Sequence, residues 1–376
     1  MPGLLADVDP EGLLEYSVVF TDRSLNHMSA SFQQVMVDIS STLKQVYNAQ
    51  AVAVVPGGGT FAMEAVARQF ASAQKCLVIR NGWFSYRWSQ ILEMGQIARD
   101  ITVLAARPVE EGPEAAFAPA PIEEVVAAIA REKPAVVFAP HVETASGMML
   151  PDDYIRQVAQ AVHQVGGLLV LDCIASGTLW VDMQDCGVDV LISAPQKGWS
   201  ASPCAGLVML GENARQRLET TTSSSFACDL KKWLQIMAAY ENGGHAYHAT
   251  MPTDGLVKFH ASMQEMQQLG FDRLRQQQIE LGAKVRALLA SQGFKSVAAE
   301  GFTAPGVVVC YTRDAQLHSG LKFKQLGLQT AAGVPLQCNE PEDYQTFRIG
   351  LFGLDKLANI DRTVATLEQA LLKLGE

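Results

Sequence analysis

Three stretches of this sequence set residues suited to chemistry directly behind short apolar runs. The first is Val55-Pro56-Gly57-Gly58-Gly59-Thr60-Phe61-Ala62-Met63-Glu64. Without side chains, its glycines let backbone N–H groups at a helix start approach an anion, and the helix dipole favours negative charge there. A phosphate suits Gly58, Gly59 and Thr60, although taken alone the same residues also suit a plain strand-to-helix turn. The second is Asp172, which closes the run Gly167-Leu168-Leu169-Val170-Leu171. At the ligand edge of a parallel sheet its carboxylate is desolvated and needs a cation or donor, while a lone Asp in this place also serves as a turn cap. The third is Lys197 in Ser193-Ala194-Pro195-Gln196-Lys197-Gly198-Trp199. Partial desolvation there lowers a lysine's pKa and favours the neutral, nucleophilic amine that Schiff-base chemistry requires. By itself it is equally a solvated lysine.

Taken together, an anion cradle, a strand-end carboxylate and a strand-end amine match the phosphate, ring nitrogen and aldehyde of pyridoxal 5'-phosphate. In this reading Asp172 keeps the ring nitrogen protonated, and Lys197 carries the cofactor as a Schiff base and later shuttles the substrate proton.

Positioning these groups requires alternating strands and helices. Residues 50 to 210 alternate short β-branched runs with helical segments of three- and four-residue apolar spacing, the pattern of βαβ units and a mostly parallel sheet. Strands are expected at 51–55, 76–80, 135–139, 167–171, 188–193 and 205–210. Their consecutive apolar residues imply helices on both faces. Met63, Val66, Ala67 and Phe70 line one helix face, and Ile155, Val158, Ala159 and Val162 another. Beyond residue 255 the pattern predicts one long helix at 256–293, strands near 306–311 and 347–351, and a closing helix. The chain therefore divides into an N-terminal segment 1–20, a large cofactor-binding domain 21–255 and a small α+β domain 256–376.

The 376 residues are 48% hydrophobic and 18% charged, enough for a sizeable core. A net charge of −10 without a basic run argues against nucleic acid and anionic membrane as partners. The seven scattered cysteines read as small buried apolar residues in a reducing cytoplasm. The opening stretch MPGLLADVDPEG has no basic region, so no secretory leader is expected. The seven histidines show no metal-ligand spacing, and no metal is expected. GxGxxG, P-loop and GxSxG patterns are absent.

The motifs Gly57 to Glu64, Asn81-Gly82-Trp83-Phe84, His141-Val142-Glu143-Thr144, Asp172-Cys173-Ile174-Ala175-Ser176, Gln196-Lys197 and Phe347-Arg348-Ile349-Gly350 resemble the class V aminotransferases of pyridoxal-phosphate fold type I, in particular the alanine-glyoxylate and serine-pyruvate group. The resemblance implies an α/β fold, with a mostly parallel central sheet sandwiched by helices and a smaller C-terminal α+β domain. It implies phosphate binding by Gly58, Gly59 and Thr60, ring stacking by Phe84, and Ile174 on the opposite ring face. Polar cofactor contacts are implied for Thr144 and Gln196, and substrate-carboxylate binding for Arg348. Tyr247 and Thr250 match positions that reach the neighbouring subunit's cofactor, which implies a homodimer. The N-terminal pattern departs from the family: of Tyr16 to His27 only His27 aligns, as a candidate substrate contact. Trp83, Tyr86, Arg87 and Trp88 form an aromatic and basic cluster that biases specificity or belongs to the core.

The implied activity moves an amino group from an alanine- or serine-like donor to a 2-oxo acid such as glyoxylate or pyruvate. Two other readings are a lyase or desulfurase on the same cofactor, for which no cysteine loop or histidine beside Lys197 is evident, and a phosphate-binding sensor without chemistry.

Overall fold

The structure is a computed structural model describing residues 13–374. The opening stretch 1–12 and the last two residues lie outside the described residues.

Seven strands form the central sheet: β1 (Ala51–Pro56), β2 (Lys75–Arg80), β3 (Asp100–Ala105), β4 (Val136–Pro140), β5 (Leu168–Asp172), β6 (Val190–Ser193) and β7 (Ala205–Leu210). Their spatial order is β1-β7-β6-β5-β4-β2-β3. Only β7 runs against the others, pairing antiparallel with both β1 and β6. The β4, β5, β6 and β7 strands are buried along their whole length, which explains their continuous apolar sequences, since helices cover them. The β3 strand, Asp-Ile-Thr-Val-Leu-Ala, was not among the strands expected, although its β-branched apolar run carries the strand signal. It lies at the sheet edge and is half-exposed.

Helices flank the sheet. The helix α1 (Ala30–Tyr47) buries Phe32, Met36, Ile39 and Leu43, and α2 (Gly59–Phe70) buries Met63, Val66, Ala67 and Phe70, the face read from the sequence. The helix α3 (Trp83–Met94) follows β2, and α4 (Asp152–Gln164) buries Ile155, Val158, Ala159 and Val162.

The long helix expected at 256–293 is two helices, α5 (Thr253–Leu269) and α6 (Phe271–Ser291). The break is Gly270, at φ +90°, which only glycine adopts without strain. Apolar spacing runs through the break because α5 packs on α1 while α6 packs on the C-terminal helices. A second antiparallel sheet joins β8 (Val307–Tyr311), β9 (Ala331–Ala332) and β10 (Thr346–Gly350) in the order β8-β10-β9. Among the described residues no helix is long and apolar enough to cross a membrane.

Candidate active site

Parallel strands bring their C-terminal ends to one sheet edge, where open α/β sheets bind ligands. Here β1 delivers Gly57 to Thr60, β2 delivers Asn81 to Phe84, β4 delivers His141 to Thr144, β5 delivers Asp172, and β6 leads to Lys197. A cavity of about 240 Å³ opens at this edge, lined by Gly59, Thr60, Met63, Phe84, Arg87, Val142, Thr144, Asp172, Ile174, Ala175, Gln196 and Lys197. Gly58 precedes the first turn of α2. Nothing lies within 4 Å of where its β-carbon would stand, so the space in front of the turn is open. At Gly59 the case is reversed: a β-carbon would come 2.5 Å from Ile174 Cδ1, so any larger residue would displace that side chain from the cavity wall.

Asp172 is buried, and the one hydrogen bond of its carboxylate among the described residues is accepted from Ile174 N at 2.9 Å. Burial pushes its pKa up to about 7 and Glu143 adds to the rise, whereas Arg87 and Lys197 counter it. A carboxylate so poor in donors wants a cationic N–H. Lys197 is pulled below the usual lysine range, first by burial and then by Arg348, which favours a neutral Nζ. Its Nζ stands 5.3 Å from the centre of the Phe352 ring. Gln196 Oε1 is buried with no partner among the described residues. The orphaned oxygen, the underbonded carboxylate and the open turn fit a ligand that carries a donor and an anion.

Arg348, on β10, donates from Nε to Ala332 O at 2.7 Å, and its guanidinium lies 5.6 Å from the Phe84 ring centre. It therefore stands beside the cavity. His27, Tyr247 and Thr250 do not. His27 is buried against Tyr247 (5.6 Å), His245 (5.8 Å) and Phe20 (5.6 Å), with Nδ1 unpartnered. Tyr247 and Thr250 are exposed and bonded to each other at 3.2 Å. Within one subunit these three residues form a separate cluster.

Two residues take definite places at the site: Arg87, expected only as part of a cluster near it, and Glu143, to which no role was given. Arg87 donates to Thr60 Oγ1 at 3.0 Å and lies 5.3 Å from the Phe84 ring centre. Its signal was the three-residue spacing from Phe84, which puts both on one helix face. Of its companions, Trp88 is core, stacked on Phe138 at 4.3 Å, and Tyr86 lies under Arg80. Glu143 is fully buried at the start of α3, where it accepts from Ser85 N, Ser85 Oγ, Phe84 N and Ala145 N. That role was invisible because the donors are 58 and 59 positions away or belong to the backbone.

A mostly parallel sheet flanked by helices, with its ligand edge facing a small antiparallel sheet, is the pyridoxal-phosphate fold type I. Residues 13–323 match the family Aminotransferase class-V, and the chain belongs to it. It is thus a pyridoxal-phosphate-dependent transaminase. The chain is 25% identical over 360 residues to the soluble hydrogenase small subunit of Synechococcus sp., covering 93% of this chain and 88% of that one. It is 25% identical over 362 residues to the alanine–glyoxylate aminotransferase of Callithrix jacchus, covering 92% and 82%. An aspartate aminotransferase of subgroup IV from Thermus thermophilus superposes with a TM-score of 0.76 at 22% identity, covering 93% of each chain.

Proposed function

We propose that this enzyme takes the amino group of a small amino acid such as alanine or serine and delivers it to a 2-oxo acid such as glyoxylate or pyruvate. The observation that carries this reading is the cavity where the glycine turn, Asp172 and Lys197 converge beside Arg348. The alanine–glyoxylate aminotransferase relative supports the substrate class.

In this reading Gly58, Gly59 and Thr60 take the cofactor phosphate, with the Arg87 guanidinium adding positive charge beside Thr60. Asp172 faces the ring nitrogen, and Phe84 and Ile174 flank the ring. Thr144 and Gln196 supply polar contacts, and Lys197 holds the aldehyde carbon. Pyridoxal phosphate supplies an electron sink for the bond broken at the substrate Cα. The chain's own residues do the rest. Arg348 pairs the substrate carboxylate with two parallel hydrogen bonds and so fixes which Cα bond faces the ring. Lys197 Nζ, its pKa lowered by burial and by Arg348, accepts the Cα proton and returns it.

Tyr247 and Thr250 stand exposed, away from their own cavity. We assign them to the neighbouring subunit's phosphate in a homodimer, with His27 behind them at the same face. Seven unpaired cysteines fit a reducing cytoplasm. The large domain is taken to end near residue 255 and the small domain to begin with the helices after it.

The test is spectroscopic. Adding alanine or serine to the holoenzyme converts the visible cofactor band to the aminated cofactor's shorter-wavelength band, and glyoxylate or pyruvate restores it. No conversion with any amino donor overturns the transfer reading. Ammonia or sulfide release without an acceptor acid replaces it with a lyase.

A further inference from the structure

A cavity larger than the Lys197 one lies elsewhere in the molecule. A space of about 920 Å³ lies between the start of α4, the loop at 179–181 and the outer side of α6, and shares no lining residue with the catalytic one. Its walls are mostly apolar, with Trp180, Ile279, Ala283 and Ala287 among them. The volume lies within the range of small-molecule sites.

Its charges are unevenly satisfied. Arg156 is bound to Asp153 (2.6 Å) and Asp185 (2.5 Å). Asp152 lies in the first turn of α4, where the helix dipole offsets its charge. Arg275 is exposed and has no ion pair or side-chain hydrogen bond among the described residues, so it offers a free cation at the cavity mouth. Arg286 is bonded to Ala304 O (2.7 Å) and Ser296 Oγ (3.4 Å), neither of them charged. A partly buried guanidinium without a counter-ion is costly, and burial lowers the Arg286 pKa accordingly. The two arginines are eleven positions apart, which puts them on one face of α6 about 16 Å along its axis.

We propose that this cavity is a second binding site, for a small carboxylic acid with an elongated apolar body. Its carboxylate pairs with Arg275, and its body lies along α6 against Trp180 and Ile279. Two hydrogen-bonded connections run from this cavity toward the catalytic one. His141, in its wall, donates its backbone N–H to Asp172 O at 2.8 Å and is bonded through Nδ1 to Ser176 Oγ at 2.7 Å. In addition, Gln278 on α6 donates from Nε2 to Pro305 O and Leu351 O, which flank the small sheet that carries Arg348. This inference does not rest on the identity of the amino donor or acceptor.

The probe is 4-phenylbutyrate, titrated calorimetrically into the holoenzyme, with the uncharged 4-phenylbutyramide as its isostere. Saturable binding of the acid is expected, with the amide at least about tenfold weaker, the worth of one lost charge-assisted contact. Arg275→Gln should weaken the acid by a similar factor, Ala283→Trp should remove its binding by filling the cavity, and Arg348→Ala should leave it intact. The proposal is overturned if acid and amide bind alike, if Arg275→Gln and Ala283→Trp both bind as the parent does, or if no heat develops at millimolar acid. Loss of binding in Arg348→Ala overturns it too, because the acid would then be in the substrate cavity.

Discussion

Glu143 grips Ser85 twice: its Oε2 accepts from Ser85 N at 2.8 Å and from Ser85 Oγ at 2.7 Å. The other oxygen accepts from Ala145 N at 2.9 Å and Phe84 N at 3.3 Å. The buried carboxylate thus pins the first turn of α3, and with it the Phe84 ring on the cavity wall. Glu143→Gln keeps the shape but turns an amino group toward backbone donors. Leaving buried donors unsatisfied costs about 1–3 kcal/mol each. We expect a lower melting temperature and weaker cofactor retention, measured by calorimetry and by equilibrium dialysis. Unchanged values for both would remove Glu143 from the support of Phe84.

Asp172 makes the apoenzyme's stability depend on pH in a defined sense. Its pKa rises from the ordinary 3.8 to about 7 on folding, so between those values the folded state holds more protons than the unfolded one. Stability is therefore lost as pH rises through this window, and the penalty is complete above pH 7. An asparagine carries no such penalty. The Asp172→Asn apoenzyme should melt several degrees above the parent apoenzyme at pH 8, with the gap closing toward pH 4, while its hold on the cofactor weakens at both. A pH-independent gap in melting scans would contradict the burial argument.

Arg348 should act on substrate rather than on cofactor. Removing a charge-assisted pair costs about 1.5–3 kcal/mol, so Arg348→Ala should raise KM for the amino donor by roughly 10- to 100-fold. The holoenzyme's visible spectrum should stay as it is. Loss of the cofactor band would instead make Arg348 part of the cofactor's own support.

If Tyr247 serves the neighbour, two defective subunits can complement each other. Lys197→Ala should lower turnover by at least about 10³-fold, as loss of a proton-transferring amine does. Tyr247→Ala should weaken cofactor binding. In a mixed dimer one site regains both Lys197 and the neighbour's Tyr247. Activity should therefore reappear after refolding the two variants together, and a mixture no better than Tyr247→Ala alone speaks against a shared site.

Much of this site was legible because it depends on short-range order. The glycine turn, Asp172 and Lys197 each follow a strand whose apolar run marks its end, and parallel connectivity sends those ends to one edge. The helix faces of α2 and α4 were readable from spacing alone. The same local rules failed where two signals overlapped: apolar spacing carried through Gly270, although its positive φ separates α5 from α6.

What sequence alone determined was the set of chemical groups and the order of elements that carries them, because turn residues and apolar periods act over a few positions. Tertiary structure alone decided which distant groups meet: Glu143 under α3, Arg87 on Thr60, Arg348 beside Phe84, and His27 with Tyr247 apart from them all. Those encounters, and the apolar cavity beside Arg275, come from the packing of whole helices on the sheet, and no local pattern encodes a contact between surfaces that far apart in the chain.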